Sequence, residues 1–342
     1  NRSFDLSRSQ MRYHPRIGYT YMPNARMRVQ GANGGYLVRT NAAGFRSDSE
    51  FVLPRKAGTF RALLFGDSQA AGDHCANAER YSDLLEKAVP GLEVYNYGLS
   101  GTGTDQQFLA YQENKNVEHD LLIIGLFVES IRRVNCRLIK SLEDNGDAAY
   151  YAKPYYQLEN DELVLRNVPV PKRPWTEQTL PAEHLAHVYS HGATRFTSAE
   201  DWAGIRSIVP TAPLRKAMKS LVMRVSRFQP LPEYDTPDTS EWLLLRGILE
   251  TWFQASNAPV LLVPIPHRLY FDAPGSSAAY QARFRELAES TGCYLYDPFP
   301  DLCKFTAEER RSFWLSGHLS PHGHKTMAAL LAPAIERIMR EC

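Results

Sequence analysis

Five cysteines in 342 residues are few, and none stands in a C-x-x-C pair. No cysteine–histidine group has zinc-ligand spacing, so neither a structural zinc nor a disulfide-rich scaffold is expected. Cys293 and Cys303 flank a short segment and read either as a disulfide in an oxidising compartment or as two buried thiols, the second being preferred. Any run of about 18 apolar residues is also lacking, so no segment reads as a membrane-spanning helix. Charge of one sign is lacking too: the formal net charge is +1, which leaves no field to gather nucleic acid or an anionic membrane surface. The basic stretch from Arg215 to Arg227 has Leu221, Val222 and Val225 interleaved with its cations, the pattern of one amphipathic helix. No repeat or low-complexity segment occurs. The G-x-G-x-x-G loop of dinucleotide binding is missing after the first core strand, where Gly66-Asp67-Ser68 stands instead, so no cofactor is expected.

What is present is an ordinary globular balance, 44% hydrophobic and 23% charged, enough for a sizeable core without staples. Residues 1–59 are rich in Tyr, Arg, Asn and Gly and read as an N-terminal extension, with a hairpin of Arg26–Gln30 and Tyr36–Thr40 around a turn at 31–35. From residue 60 strands and helices alternate. Strands are predicted at 60–65, 92–95 and 120–127, with helices near 79–88 and 105–114. The rhythm breaks over 137–237, a proline-rich insertion or cap with a hairpin around Glu159-Asn160-Asp161. It is expected to wall a pocket over the sheet end that carries Ser68. It resumes with helices at 240–256, 276–290 and 322–339 and strands at 260–264 and 294–296. The α/β unit therefore comprises 60–136 and 238–342, a three-layer α/β/α arrangement around a parallel sheet.

Three loops carry candidate chemistry. Ser68 follows a core strand at the sheet end where open parallel sheets bind ligands, although serine is also a common helix cap there. Asn96 to Gly103 is glycine-rich, and a glycine beside a reacting carbon lets a backbone amide approach an oxyanion, unless the loop is only a tight turn. The third loop holds His318, His322 and His324. Their spacing fits neither two ligands on one helix face nor a cysteine partner, so a metal is not expected.

Taken in order, LLFGDSQAAGD, EVYNYGLSGTGTDQQF, DLLIIGLFVES and GHLSPHGHKTMA resemble the successive blocks of the SGNH/GDSL hydrolase superfamily. The resemblance covers 60–135 and 240–340 and implies a flavodoxin-like fold. It also implies Ser68 as nucleophile, His318 as general base, and an oxyanion hole from the amides of Ser68 and Gly101. NAAGFR, ESIRRVN and YAKPYYQLENDELVL are more loosely similar to a bacterial branch associated with surface-polysaccharide gene clusters.

Two positions depart from the family. The third block normally supplies an asparagine to the oxyanion; Ser130 stands there, or Glu129 if the register slips by one. An aspartate normally precedes the histidine by two or three residues and holds its ring, but here those positions are Ser316 and Leu315. Ser130 is accordingly expected as a weaker oxyanion donor, and Ser316, a backbone carbonyl or Glu129 as the group that orients His318. The function implied is acyl-ester hydrolysis or acyl transfer, on an O-acylated carbohydrate if Tyr150, Tyr151, Tyr155, Tyr156 and Trp175 form a sugar platform. The alternative is a catalytically weak carbohydrate-binding or assembly protein on the same fold. The chain begins at Asn1, which leaves a removed leader open. The expected compartment is the bacterial cytoplasm or, with a leader removed, the periplasm or cell envelope.

Overall fold

A computed structural model describes residues 10–30, 35–142, 146–189, 229–272 and 275–342. The tip of the expected N-terminal hairpin (31–34) and the basic stretch at 215–227 lie outside the described residues. The central strands are β1 (Phe60–Gly66), β2 (Leu92–Asn96), β3 (Leu121–Phe127), β4 (Val260–Ile265) and β5 (Tyr294–Leu295). Side chains alternate along them with the period of two that a strand imposes. In β1, Leu63 and Phe65 enter one core while Ala62 and Leu64 enter the other; in β3, Leu122 and Ile124 oppose Leu121 and Ile123 in the same way. A strand apolar on both faces needs cover on both, which parallel neighbours with helical crossovers supply. The five strands form a wholly parallel sheet in the order β5-β4-β3-β1-β2.

The main helices are α1 (Ser68–Ala71), α2 (Tyr81–Ala88), α3 (Thr104–Asn114), α4 (Ser240–Ala255), α5 (Ala278–Thr291) and α6 (Pro321–Glu341). Helices α3, α4 and α5 cover one face through Phe108, Trp242, Trp252 and Phe284, and α2 and α6 cover the other through Leu85, Met327, Leu331 and Ile335. This is the expected three-layer, flavodoxin-like architecture. Successive strands leave β1 on opposite sides, β2 on one and β3 on the other, so the sheet has its switch point at the carboxyl end of β1. Ser68 is the second residue beyond that end.

The N-terminal segment forms two hairpins, Met11–His14 with Gly18–Tyr21 and Arg26–Val29 with Tyr36–Arg39. The insertion carries a four-stranded sheet not expected from the sequence, with Leu138–Leu142 and Ala148–Ala152 at its centre. The expected hairpin pairs Tyr155–Glu159 with Glu162–Arg166, turning on Asn160 and Asp161 with φ of 51° and 64°, left-handed values that these residue types tolerate best after glycine. This hairpin packs on α3 and α4, where Tyr156 stacks on Phe108 at 5.9 Å. Much of the remaining insertion, residues 190–228, lies outside the described residues.

Candidate active site

The turn after β1 has room for glycine alone. A Cβ on Gly66 would lie 2.6 Å from both Ala70 Cβ and the Gly125 carbonyl oxygen, and Gly125 is its register partner on β3. Beyond this turn Asp67 caps α1, its Oδ1 accepting from the Gln69 amide at 3.0 Å. Ser68 is thereby presented at the switch point, 5% exposed.

His318 arrives from the other end of the chain on a two-residue hairpin. Leu315 and His318 are cross-strand partners, and Ser316 and Gly317 turn between them with φ of 50° and 89°. Beyond the hairpin the Ser320 hydroxyl caps α6, accepting from the Gly323 amide at 3.0 Å. The result is a hydrogen bond of 2.9 Å between His318 Nε2 and Ser68 Oγ. The ring of His74, a residue held at φ 71°, lies 5.2 Å from the His318 ring, tilted by 54°.

Gly101 sits on the loop after β2 with φ 76°, and a Cβ there would approach the Tyr19 hydroxyl to 3.0 Å. The loop is fixed from two sides. Asn96 Nδ2 donates to the Ala70 carbonyl and to Ser82 Oγ, both at 2.8 Å, and its Oδ1 accepts from the Gly98 amide at 2.8 Å. Tyr19 Oη donates to the Ser100 carbonyl at 2.7 Å, the Ser100 amide donates to Tyr21 Oη at 3.1 Å, and Ser100 Oγ donates to the Asp73 carboxylate. The N-terminal extension is thus part of the support of this site. Arg46, fully buried, adds to that by donating to the carbonyls of Gly72 and Cys75 at 2.7 Å each, just beyond α1.

Three expectations need correction. Ser130 does not stand open as an oxyanion donor: its hydroxyl donates to Asp67 Oδ2 at 3.2 Å, beside Arg133 Nη1, which donates to the same oxygen at 2.8 Å and to the Thr102 carbonyl at 3.0 Å. The groups expected to orient His318 lie elsewhere. Ser316 is exposed in the turn, Glu129 faces His267 with Oε2 3.7 Å from Nε2, and His318 Nδ1 is buried with no hydrogen-bond partner among the described residues. Of the aromatics expected to form a sugar platform, Tyr150, Tyr156 and Trp175 serve packing. Tyr150 is buried with Leu138, Ala152 and Val170, Trp175 packs against that cluster, and Tyr155 lies under the Arg137 guanidinium at 5.2 Å.

Five residues that the sequence does not single out bind the site together: Gln69, Asp67, Arg133, Tyr19 and Tyr21. Only Asp67 had a local signal, as a cap residue before a helix. The thiols of Cys75 and Cys136 are poor nucleophiles, because burial pushes the first up to about 12 and the second up to about 11. Cys293 and Cys303 are free thiols, the first half-buried and the second exposed rather than buried as expected. No group of His, Cys, Asp or Glu among the described residues is arranged to hold a metal, and no helix among them is long and apolar enough to cross a membrane.

His324 is a structural histidine. It is fully buried, its Nδ1 accepts from the Tyr81 amide at 3.2 Å, and burial with the charges of Arg46 and Arg80 lowers its pKa from 6.5 to about 3. The unfolded chain therefore takes up a proton below pH 6.5 that the folded chain refuses until about pH 3. Stability contributed by this group is complete above 6.5 and falls as pH drops through that window, by at most about 1.4 kcal/mol per pH unit. Between pH 7 and pH 5 the expected loss is about 2 kcal/mol. Denaturant unfolding at both pH values should show this loss in the native protein and its near absence in His324→Asn. Equal slopes in the two proteins would dismiss the assignment.

No protein-family model matches the sequence, and no curated protein matches it. Solved structures of similar architecture include a member of the lipolytic protein G-D-S-L family from Veillonella parvula, at 9% identity and a TM-score of 0.42, covering 82% of this chain and 100% of that one. A lipase/acylhydrolase from Enterococcus faecalis is similar at 14% identity and a TM-score of 0.41, covering 81% and 95%. A psychrotrophic esterase from Pseudoalteromonas is similar at 12% identity and a TM-score of 0.40, covering 82% and 98%.

Proposed function

We propose that this chain is a serine-dependent acyl-ester hydrolase or acyltransferase of the SGNH/GDSL type. The observation that carries the reading is the 2.9 Å contact between Ser68 Oγ and His318 Nε2 at the sheet's switch point. In the reaction, Ser68 Oγ attacks the ester carbonyl carbon as its proton passes to His318 Nε2. The amides of Ser68 and Gly101 receive the oxyanion. Collapse of the tetrahedral species expels the alcohol, which takes the proton from His318 and leaves an acyl-serine. Water completes hydrolysis, or a second alcohol completes transfer. An O-acylated carbohydrate is the substrate class we favour, on the sequence likeness to the polysaccharide-associated branch; Tyr150, Tyr156 and Trp175, being packed, do not add to it.

Turnover of an aryl acetate, compared with Ser68→Ala, tests the reading. Intact triads lose about 10⁶ in rate with the nucleophile and about 10⁴ with the acid alone. A site that already lacks the acid has about 10² left to lose, and that is the drop expected for Ser68→Ala. Wild-type rates in Ser68→Ala would remove the hydrolase reading. A folded protein without turnover would instead favour a weak or inactive carbohydrate-binding protein, a reading supported by His318 Nδ1, which has no partner among the described residues.

A further inference from the structure

We propose that Gln69 is the positioning residue for His318, doing through the backbone part of what an orienting acid does through the ring. The proposal rests on the reading of Ser68 and His318 as nucleophile and base. Gln69 follows the nucleophile directly and is 1% exposed. Its Nε2 donates to the Gly317 carbonyl at 3.1 Å, and its Oε1 accepts from the Leu319 amide at 2.9 Å. One planar amide thus grips the two residues on either side of His318. The span it closes is 248 residues in one contact and 250 in the other, so the clamp joins the nucleophile's helix to a hairpin that no local sequence holds near it.

The chemistry of the clamp is specific. It needs one donor and one acceptor at a fixed separation, which among side chains of this length only glutamine or a protonated glutamate supplies. It fixes the hairpin's backbone, and the hairpin fixes His318, because a residue beside a two-residue turn has its Cβ direction set by the strand pairing. With Nδ1 lacking an acceptor among the described residues, no hydrogen bond from them holds the ring's far side. Loosening the backbone should therefore let Nε2 drift from Ser68, and a misplacement of about 1 Å can cost about 10² in rate.

The test is a double-mutant cycle on aryl acetate hydrolysis, with amide exchange measured on the same proteins. Gln69→Ala is expected to lower kcat at least tenfold, with KM nearly unchanged, and to have no further effect in a His318→Ala background. Gln69→Glu should recover activity relative to wild type as pH falls and its carboxyl gains the proton that Gly317 accepts. The Leu319 amide should exchange faster in Gln69→Ala whether or not the protein turns over esters. An equal loss in the His318→Ala background would overturn the proposal, as would unchanged kcat with unchanged Leu319 protection. Faster Leu319 exchange in a protein whose wild type shows no Ser68-dependent turnover would leave the clamp standing and defeat the hydrolase reading alone.

Discussion

Leu315→Asp is expected to raise ester turnover by about 10²–10⁴. The base-competent tautomer of His318 leaves Nε2 free to take the Ser68 proton and puts hydrogen on Nδ1, which is buried without an acceptor among the described residues. A buried N–H left unsatisfied costs about 1–3 kcal/mol, so the productive tautomer is disfavoured, and the imidazolium formed in the reaction has no carboxylate hydrogen-bonded to Nδ1 among the described residues. The hairpin register says where an acid would help. Leu315 and His318 are directly paired, and side chains so paired share a face with Cβ atoms about 4.5–5.5 Å apart. Ser316, two residues before the histidine, points from the turn into solvent. Ser316→Asp should therefore leave turnover within about twofold, although sequence spacing alone admits either position. Pre-steady-state acylation by an activated ester, across the two variants, measures the difference. Gain from Ser316→Asp with none from a folded Leu315→Asp would mean that the register argument is wrong.

The second large effect concerns stability. Arg133→Met should destabilise the fold by about 3–5 kcal/mol, because it strips the ion-pair partner from a fully buried carboxylate, Asp67. The pair is nearly dry, with side-chain exposures of 6% and 0%, so solvent screens it little. Asp67→Asn in the same chain should restore much of the loss, since the amide still caps α1 and needs no counter-charge. Chemical denaturation of the two single variants and the double measures this coupling. A double variant no more stable than Arg133→Met would assign the loss to the packing and carbonyl contact of Arg133 instead. The native protein retains this pair directly beside the nucleophile, where it also ties Asp67 to the Thr102 carbonyl in the Gly101 loop.

What could be read from the sequence was whatever leaves a local trace. Continuous apolar runs such as Leu121–Phe127 announce buried parallel strands, and Gly66-Asp67-Ser68 announces a tight turn into a cap. The turn residues Asn160 and Asp161 located a hairpin in an otherwise featureless segment. The contacts between distant residues left no such trace. Gln69 is an ordinary polar residue until residues 317 and 319 are folded onto it. Tyr19 and Tyr21 looked like part of an embellishment until Ser100 appeared between them. Strands Leu138–Leu142 and Ala148–Ala152 leave little trace because each is only five residues long, the first interrupted by Lys140 and Ser141 and the second rich in alanine, a weak strand former. The anchoring candidates failed for a geometric reason: nearness in sequence to His318, or to the end of β3, does not specify which way a turn residue or Glu129 faces.

The central claim is that Ser68 is a nucleophile activated by His318. Intact-protein and peptide mass spectrometry after a fluorophosphonate probe measures this most directly. The account predicts one adduct, mapped to Ser68, absent from Ser68→Ala and formed far more slowly in His318→Ala. A folded protein that takes up no probe, or takes it up at another residue, or labels equally fast without His318, would contradict it.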